Sequence, residues 1–170
     1  MVTDYRAFGM TVIGASHIKS GMVCQDFSLS CELPDRRISV VCDGHGGADY
    51  FRSDRGSRFA AEAFTECMKD PDVISVLSAA ATQKQQSGRI EQLIKSIIAR
   101  WNELVERDIK EHSFGEDELS GVSGKARKRY ETGQRLQSAY GTTLIGVILT
   151  ENFWLGLQIG DGKCVAVSKD

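Results

Sequence analysis

"ISVVCDGHGG", residues 38–47, sets an apolar run against a bare carboxylate and three glycines wrapped around one histidine. Ile38 to Cys42 form the short continuous apolar run that buried strands carry. Asp43 and Gly44 then stop it. A carboxylate at such a strand end projects from a rigid edge. The glycine carbonyl beside it approaches a ligand closely, because no Cβ intervenes. Oxygen donors of that kind suit a hard divalent cation such as Mg²⁺ or Mn²⁺. The same dipeptide also makes a plain turn, and alone it does not choose between the two.

Upstream of this run, "YRAFGMTVI" over residues 5–13 has β-type, partly alternating character and predicts a strand. "CQDFSLSCEL", residues 24–33, alternates again, placing Phe27, Leu29, Cys31 and Leu33 on one face of a second strand. "PDRR" is a turn, too short for a helical crossover, so these strands are expected to be antiparallel neighbours.

Downstream the period changes. Phe59, Ala60, Ala63, Phe64 and Cys67 step at helical spacing and predict a helix over residues 53–69. Asp70, Pro71 and Asp72 signal entry to a shorter second helix. From Ile90 to Ile109, apolar residues step by threes and fours along a third helix, predicted over 88–111, with one wide stripe to bury. Residues 112–138 are polar and glycine-spotted, the pattern of a flexible insertion or flap. The basic piece "KARKRY" within it reads as a solvated surface. "GTTLIGVILT", "NFWLGLQIG" and "KCVAVSKD" return to strands. Strands, then helices, then strands predict a single α+β domain, residues 1–170, built as a sandwich of antiparallel sheets and long helices.

Composition narrows the function. The net charge of −2 offers no basic field for nucleic acid and no polybasic face for a membrane. No apolar run is long enough to span a bilayer. "MVTDYRAFGM" lacks the basic-then-apolar build of a signal peptide, and the five cysteines form no CxxC pair. Reduced thiols and a cytoplasmic location are expected.

Two further acids sit at strand borders beside Asp43. Asp26 follows the loop "SHIKSGMVCQ", and Asp161 stands between glycines in "QIGDGK". Singly, each reads as a turn residue. Together they predict one sheet edge where close carboxylates repel unless cations lie between them. His45 is the one histidine inside the glycine-rich loop. Its ordinary pKa suits proton donation near neutrality. A metal ligand or a packing residue fits its spacing equally well. No Lys-Ser/Thr follows the glycines as in a P-loop, and no GxSxG elbow exists. Water activated by a bound cation is the chemistry that remains.

"QDF" at 25–27, "VVCDGHGG" at 40–47, "GTTL" at 141–144 and "IGDGK" at 159–163 occur in that order. The set resembles the metal-dependent serine/threonine protein phosphatases of type 2C, the PPM-type enzymes. The resemblance implies an α-β-β-α sandwich of two antiparallel sheets flanked by helix pairs. It implies two or more Mn²⁺ or Mg²⁺ ions bridged by Asp43, with the Gly44 carbonyl completing one of them. Hydroxide between the ions would attack phosphorus, and His45 would protonate the departing seryl or threonyl oxygen. Asp26 would stand behind the metal ligands or hold a metal's water. Asp161 matches the glycine-flanked acid of an additional, weaker metal position. The implied partner is a phosphoprotein substrate.

The departures are specific. Gln25 stands where many relatives carry glutamate. The upstream loop offers His17 and Lys19 in place of an arginine that grips phosphate. Gly162 and Lys163 replace the commoner Ser-Arg. Catalytic domains of this type run beyond residue 170, so the resemblance implies the N-terminal two thirds of one. Unpartnered sheet edges would then permit a dimer. The alternatives are a non-catalytic phosphatase-like regulatory or binding domain with a partial metal site, and a small metal-binding interaction protein.

Overall fold

A computed structural model describes residues 4–79 and 82–167. A short helix, α1 (Ala15–Ser20), precedes a hairpin of β1 (Phe27–Leu33) and β2 (Arg36–Cys42). Helices α2 (Ser53–Lys69), α3 (Pro71–Ser78) and α4 (Gln83–Glu111) follow, then the shorter α5 (Glu116–Leu119) and α6 (Gly124–Glu131). Strands β3 (Leu144–Thr150) and β4 (Trp154–Ile159) complete one antiparallel sheet in the order β1-β2-β3-β4.

The sheet buries one face. Ile38, Val40 and Cys42 point into the core, where burial pushes the Cys42 thiol up to about 12. Phe27, Leu29, Cys31 and Leu33 pack beside them, as their alternation requires. Helix α2 lies on that face through Ala60, Ala61, Ala63, Phe64 and Met68, and α4 packs on α2. Mid-β3, Gly146 leaves the groove that the Phe64 ring fills, since a Cβ there would stand 2.4 Å from the ring. The α2 bounds are those its periodicity predicts. Helix α4 begins five residues before the predicted 88, because a capping box starts it. Thr82 Oγ1 accepts from the Gln85 amide and Gln85 Oε1 accepts from the Thr82 amide.

Of the expected sandwich of two sheets, the described residues form one four-stranded antiparallel sheet with helices on one face. Residues 5–13 and 163–167, both expected as strands, form none. A strand exists only where a neighbour completes its ladder, and these segments have none. Their alternating apolar residues, Phe8, Met10, Val12, Val165 and Val167, are left exposed. The N-terminal segment instead crosses the sheet's second face, where Thr11 Oγ1 and Ser28 Oγ share a hydrogen bond of 2.8 Å.

Residues 112–138, expected as a flexible insertion, contain α5, α6 and a second apolar cluster. There Leu119, Val122, Ala126 and Tyr130 pack against Val105 and Tyr140. The α6 piece read as solvated surface buries Ala126 and Tyr130. Buried Arg52 fastens this segment to the body. Its guanidinium grips both Glu118 carboxylate oxygens at 2.7 and 2.8 Å and donates to the His112 carbonyl and the Tyr140 hydroxyl.

Candidate active site

The β1–β2 hairpin brings the first two acids together. Its two-residue turn pairs Leu33 with Arg36, and the register runs on to Phe27 opposite Cys42. One step further places Asp26 across from Asp43. The two carboxyls are close enough for the Asp43 charge to act on Asp26. Partial burial and then the Asp43 charge raise the Asp26 pKa above the ordinary carboxylate value. Charge on His17 and the Gly44 amide oppose that rise.

Gly44 is buried beneath the pair, and the chain has no room there for a side chain. A Cβ would lie 2.4 Å from the Gln25 carbonyl oxygen and 2.8 Å from that of Ser53. Ser57 of α2 fixes the same Gln25 carbonyl by donating its hydroxyl at 2.6 Å. The glycine is therefore what lets two strand ends and a helix start converge.

The segment 141–143 laces the loop from the other side. The Thr143 amide donates to the Asp43 carbonyl at 2.9 Å, and the Asp43 amide donates to Thr143 Oγ1 at 3.1 Å. Thr142 Oγ1 donates to the same carbonyl, and the His45 amide donates to the Gly141 carbonyl at 2.9 Å. Two motifs a hundred residues apart thus form one rigid unit.

Asp26, Asp43 and Asp161 all line one cavity of about 410 Å³, with Thr11, Ser28 and Thr143 on its wall. They share the wall without closing further. Among the described residues, no three side chains of His, Cys, Asp or Glu form a ready metal-binding cluster. His45 is not in this cavity. It lines a neighbouring one of about 420 Å³ with Asp49, Tyr50, Arg129, Gln137 and Thr142. Tyr50 meets the imidazole edge-on at 4.9 Å between ring centres. A Cβ on Gly141 would stand 2.5 Å from His45 Nδ1, so that glycine makes the seat for the ring. The backbone of 43–45 and 141–143 thus carries acids on one side and the imidazole on the other.

The residues that fasten this unit, Ser57, Tyr50, Thr142 and Thr143, carry no singular mark in the sequence beyond the "GTTL" stretch. Arg129 was hidden in a run of basic residues. The acid pair fits a hard cation. Both side chains offer oxygen donors, and two neighbouring carboxyls are stabilised by a positive ion or a shared proton.

The sequence model of one family, described as protein phosphatase 2C, matches residues 13–170. No curated protein and no solved structure matches the chain.

Proposed function

The chain belongs to the protein phosphatase 2C family, and on that premise we propose that it hydrolyses phosphoserine and phosphothreonine esters of proteins. The observation that carries this reading is the single cavity that Asp26, Asp43 and Asp161 line together. Asp43 and the Gly44 carbonyl are the groups that would hold Mn²⁺ or Mg²⁺, with Asp161 serving a further ion. Such ions, when bound, polarise a phosphoryl group and acidify water.

The chain's own residues do the rest. Asp26, its pKa raised, accepts a hydrogen bond from water held in the cavity and orients it. Thr142 and Thr143 fix the Asp43 backbone so that its carboxylate cannot swing away. His45, which lines the neighbouring cavity, is the group that would donate a proton to the seryl or threonyl oxygen as it departs. The sheet's second face, which the N-terminal segment crosses, is where the second sheet of such a sandwich would pack.

A non-catalytic domain of the same fold is the second reading. It is favoured by the lack of a three-acid cluster among the described residues. Mn²⁺-dependent release of phosphate from a phosphothreonine peptide separates the two. The wild-type chain should turn over and Asp43→Asn should lose at least a hundredfold, with its circular dichroism unchanged. Turnover undiminished in Asp43→Asn would refute the site assignment. Mn²⁺ binding by calorimetry without turnover would favour the non-catalytic domain.

A further inference from the structure

The cavity that holds His45 carries a cation that makes no ion pair among the described residues. Arg129 lines it, and its Nε is buried with no hydrogen-bond partner. Among the described residues Arg129 makes no ion pair, whereas its neighbour Arg127 is paired with Glu116 and Glu131. Asp49 shares the cavity and its charge feels that of Arg129, but it forms no contact pair with it: both its carboxylate oxygens are engaged at 2.8 Å by the Ser123 amide and hydroxyl. The Tyr130 hydroxyl donates to the Asp49 carbonyl at 2.8 Å. Helix α6 is therefore pinned at two points to the turn that follows the glycine loop, holding Arg129 beside the imidazole. A buried donor without a partner is costly, and a guanidinium is satisfied best by a carboxylate.

We propose that this cavity receives the stretch of substrate flanking the phosphorylated residue, and that Arg129 there pairs with the carboxylate of a neighbouring Asp or Glu. The inference rests on the phosphatase reading, in which His45 faces the departing serine or threonine. What leaves the phosphorus is the peptide, so the peptide must lie on the His45 side. Gln137 and Ser138 on the same wall supply hydrogen bonds for its backbone. Arg129 is a specificity residue in this scheme and takes no part in the chemical step.

The test compares phosphoserine peptides carrying Glu, Ala, Lys or a second phosphoserine at the flanking positions, with Mn²⁺, for wild type and Arg129→Glu. The wild type should favour Glu over Ala in kcat/KM by about tenfold, mainly through KM. Arg129→Glu should invert the order in favour of Lys. Equal rates for all flanks, or a Glu preference that survives Arg129→Glu, would overturn the proposal. A second phosphate preferred over Glu would overturn the carboxylate assignment.

If no peptide is turned over, the phosphatase reading has failed, and binding decides the pocket separately. Trp101 lines the cavity, so its fluorescence in a Trp154→Phe background should change on adding an unphosphorylated Glu-flanked peptide without metal. Arg129→Glu should abolish that change. No change in the Arg129 protein would overturn the pocket itself.

Discussion

Asp26 holds its proton more tightly in the folded chain than in the unfolded one. The folded state therefore loses stability as pH rises from the ordinary carboxylate value through the raised one. In the proposed reading a divalent cation would take the proton's place. In EDTA, Asp26→Asn should raise the melting temperature at neutral pH and flatten its fall between mildly acidic and neutral conditions. The same variant should lose stabilisation by Mn²⁺. Identical pH profiles for the two proteins would contradict the closeness of the acids. His45 offers a second test through its seat. Gly141→Ala puts a methyl group 2.5 Å from Nδ1, too close for the ring to keep its place. The displaced atom ends a side chain, so the fold should survive. Hydrolysis of alkyl phosphates should fall about ten- to hundredfold, and that of p-nitrophenyl phosphate less, because a phenolate needs little protonation.

Among the elements, the β1–β2 hairpin and α2 govern the site. The two-residue turn sets the register, and the register sets Asp26 opposite Asp43. From "PDRR" only the antiparallel pairing was readable: Arg36 and Arg37 belong to β2, so the turn is two residues and not four, and the register follows from that. Helix α2 supplies Ser57 to the site and Phe64 to the core, so core and site share a support. Phe64 is 1% exposed. Phe64→Ala should cost about 3–5 kcal/mol in a urea titration. A loss below about 1 kcal/mol would mean that α2 does not seat on Gly146 as described. The helical stripes of α2 and α4 were legible because the 3.6-residue period is a local property. The start of α4 was not, because polar residues held by a cap leave no periodic trace.

At the scale of the whole molecule, Arg52 joins segments that are far apart in sequence. Its charge is satisfied by Glu118, two carbonyls and the Tyr140 hydroxyl, which in turn donates to Asp108 at 2.6 Å. Arg52→Met would strand these groups. Glu118 is a third exposed and can recover water, so the loss should fall near the lower end of about 3–5 kcal/mol. Amide exchange should quicken across 112–138 more than in β2. Uniform acceleration would show that Arg52 supports the body and not this segment. Polar composition hid the segment's packing, because Phe114, Leu119, Val122 and Tyr130 reach a shared cluster without any regular spacing.

The β1–β2 hairpin, the two long helices, the strands β3 and β4 and the acids worth naming were set by local pattern: periodicity, turn residues and glycine placement act within a few residues of themselves. Tertiary structure decided which of those acids share a cavity, that His45 lies across the loop from them, and that Arg129 stands beside it unpaired. It also decided that residues 5–13 and 163–167 form no strand. Each of these depends on what a distant part of the chain places alongside, as Thr143 does for Asp43, and neighbours of that kind leave no mark on the residues they meet.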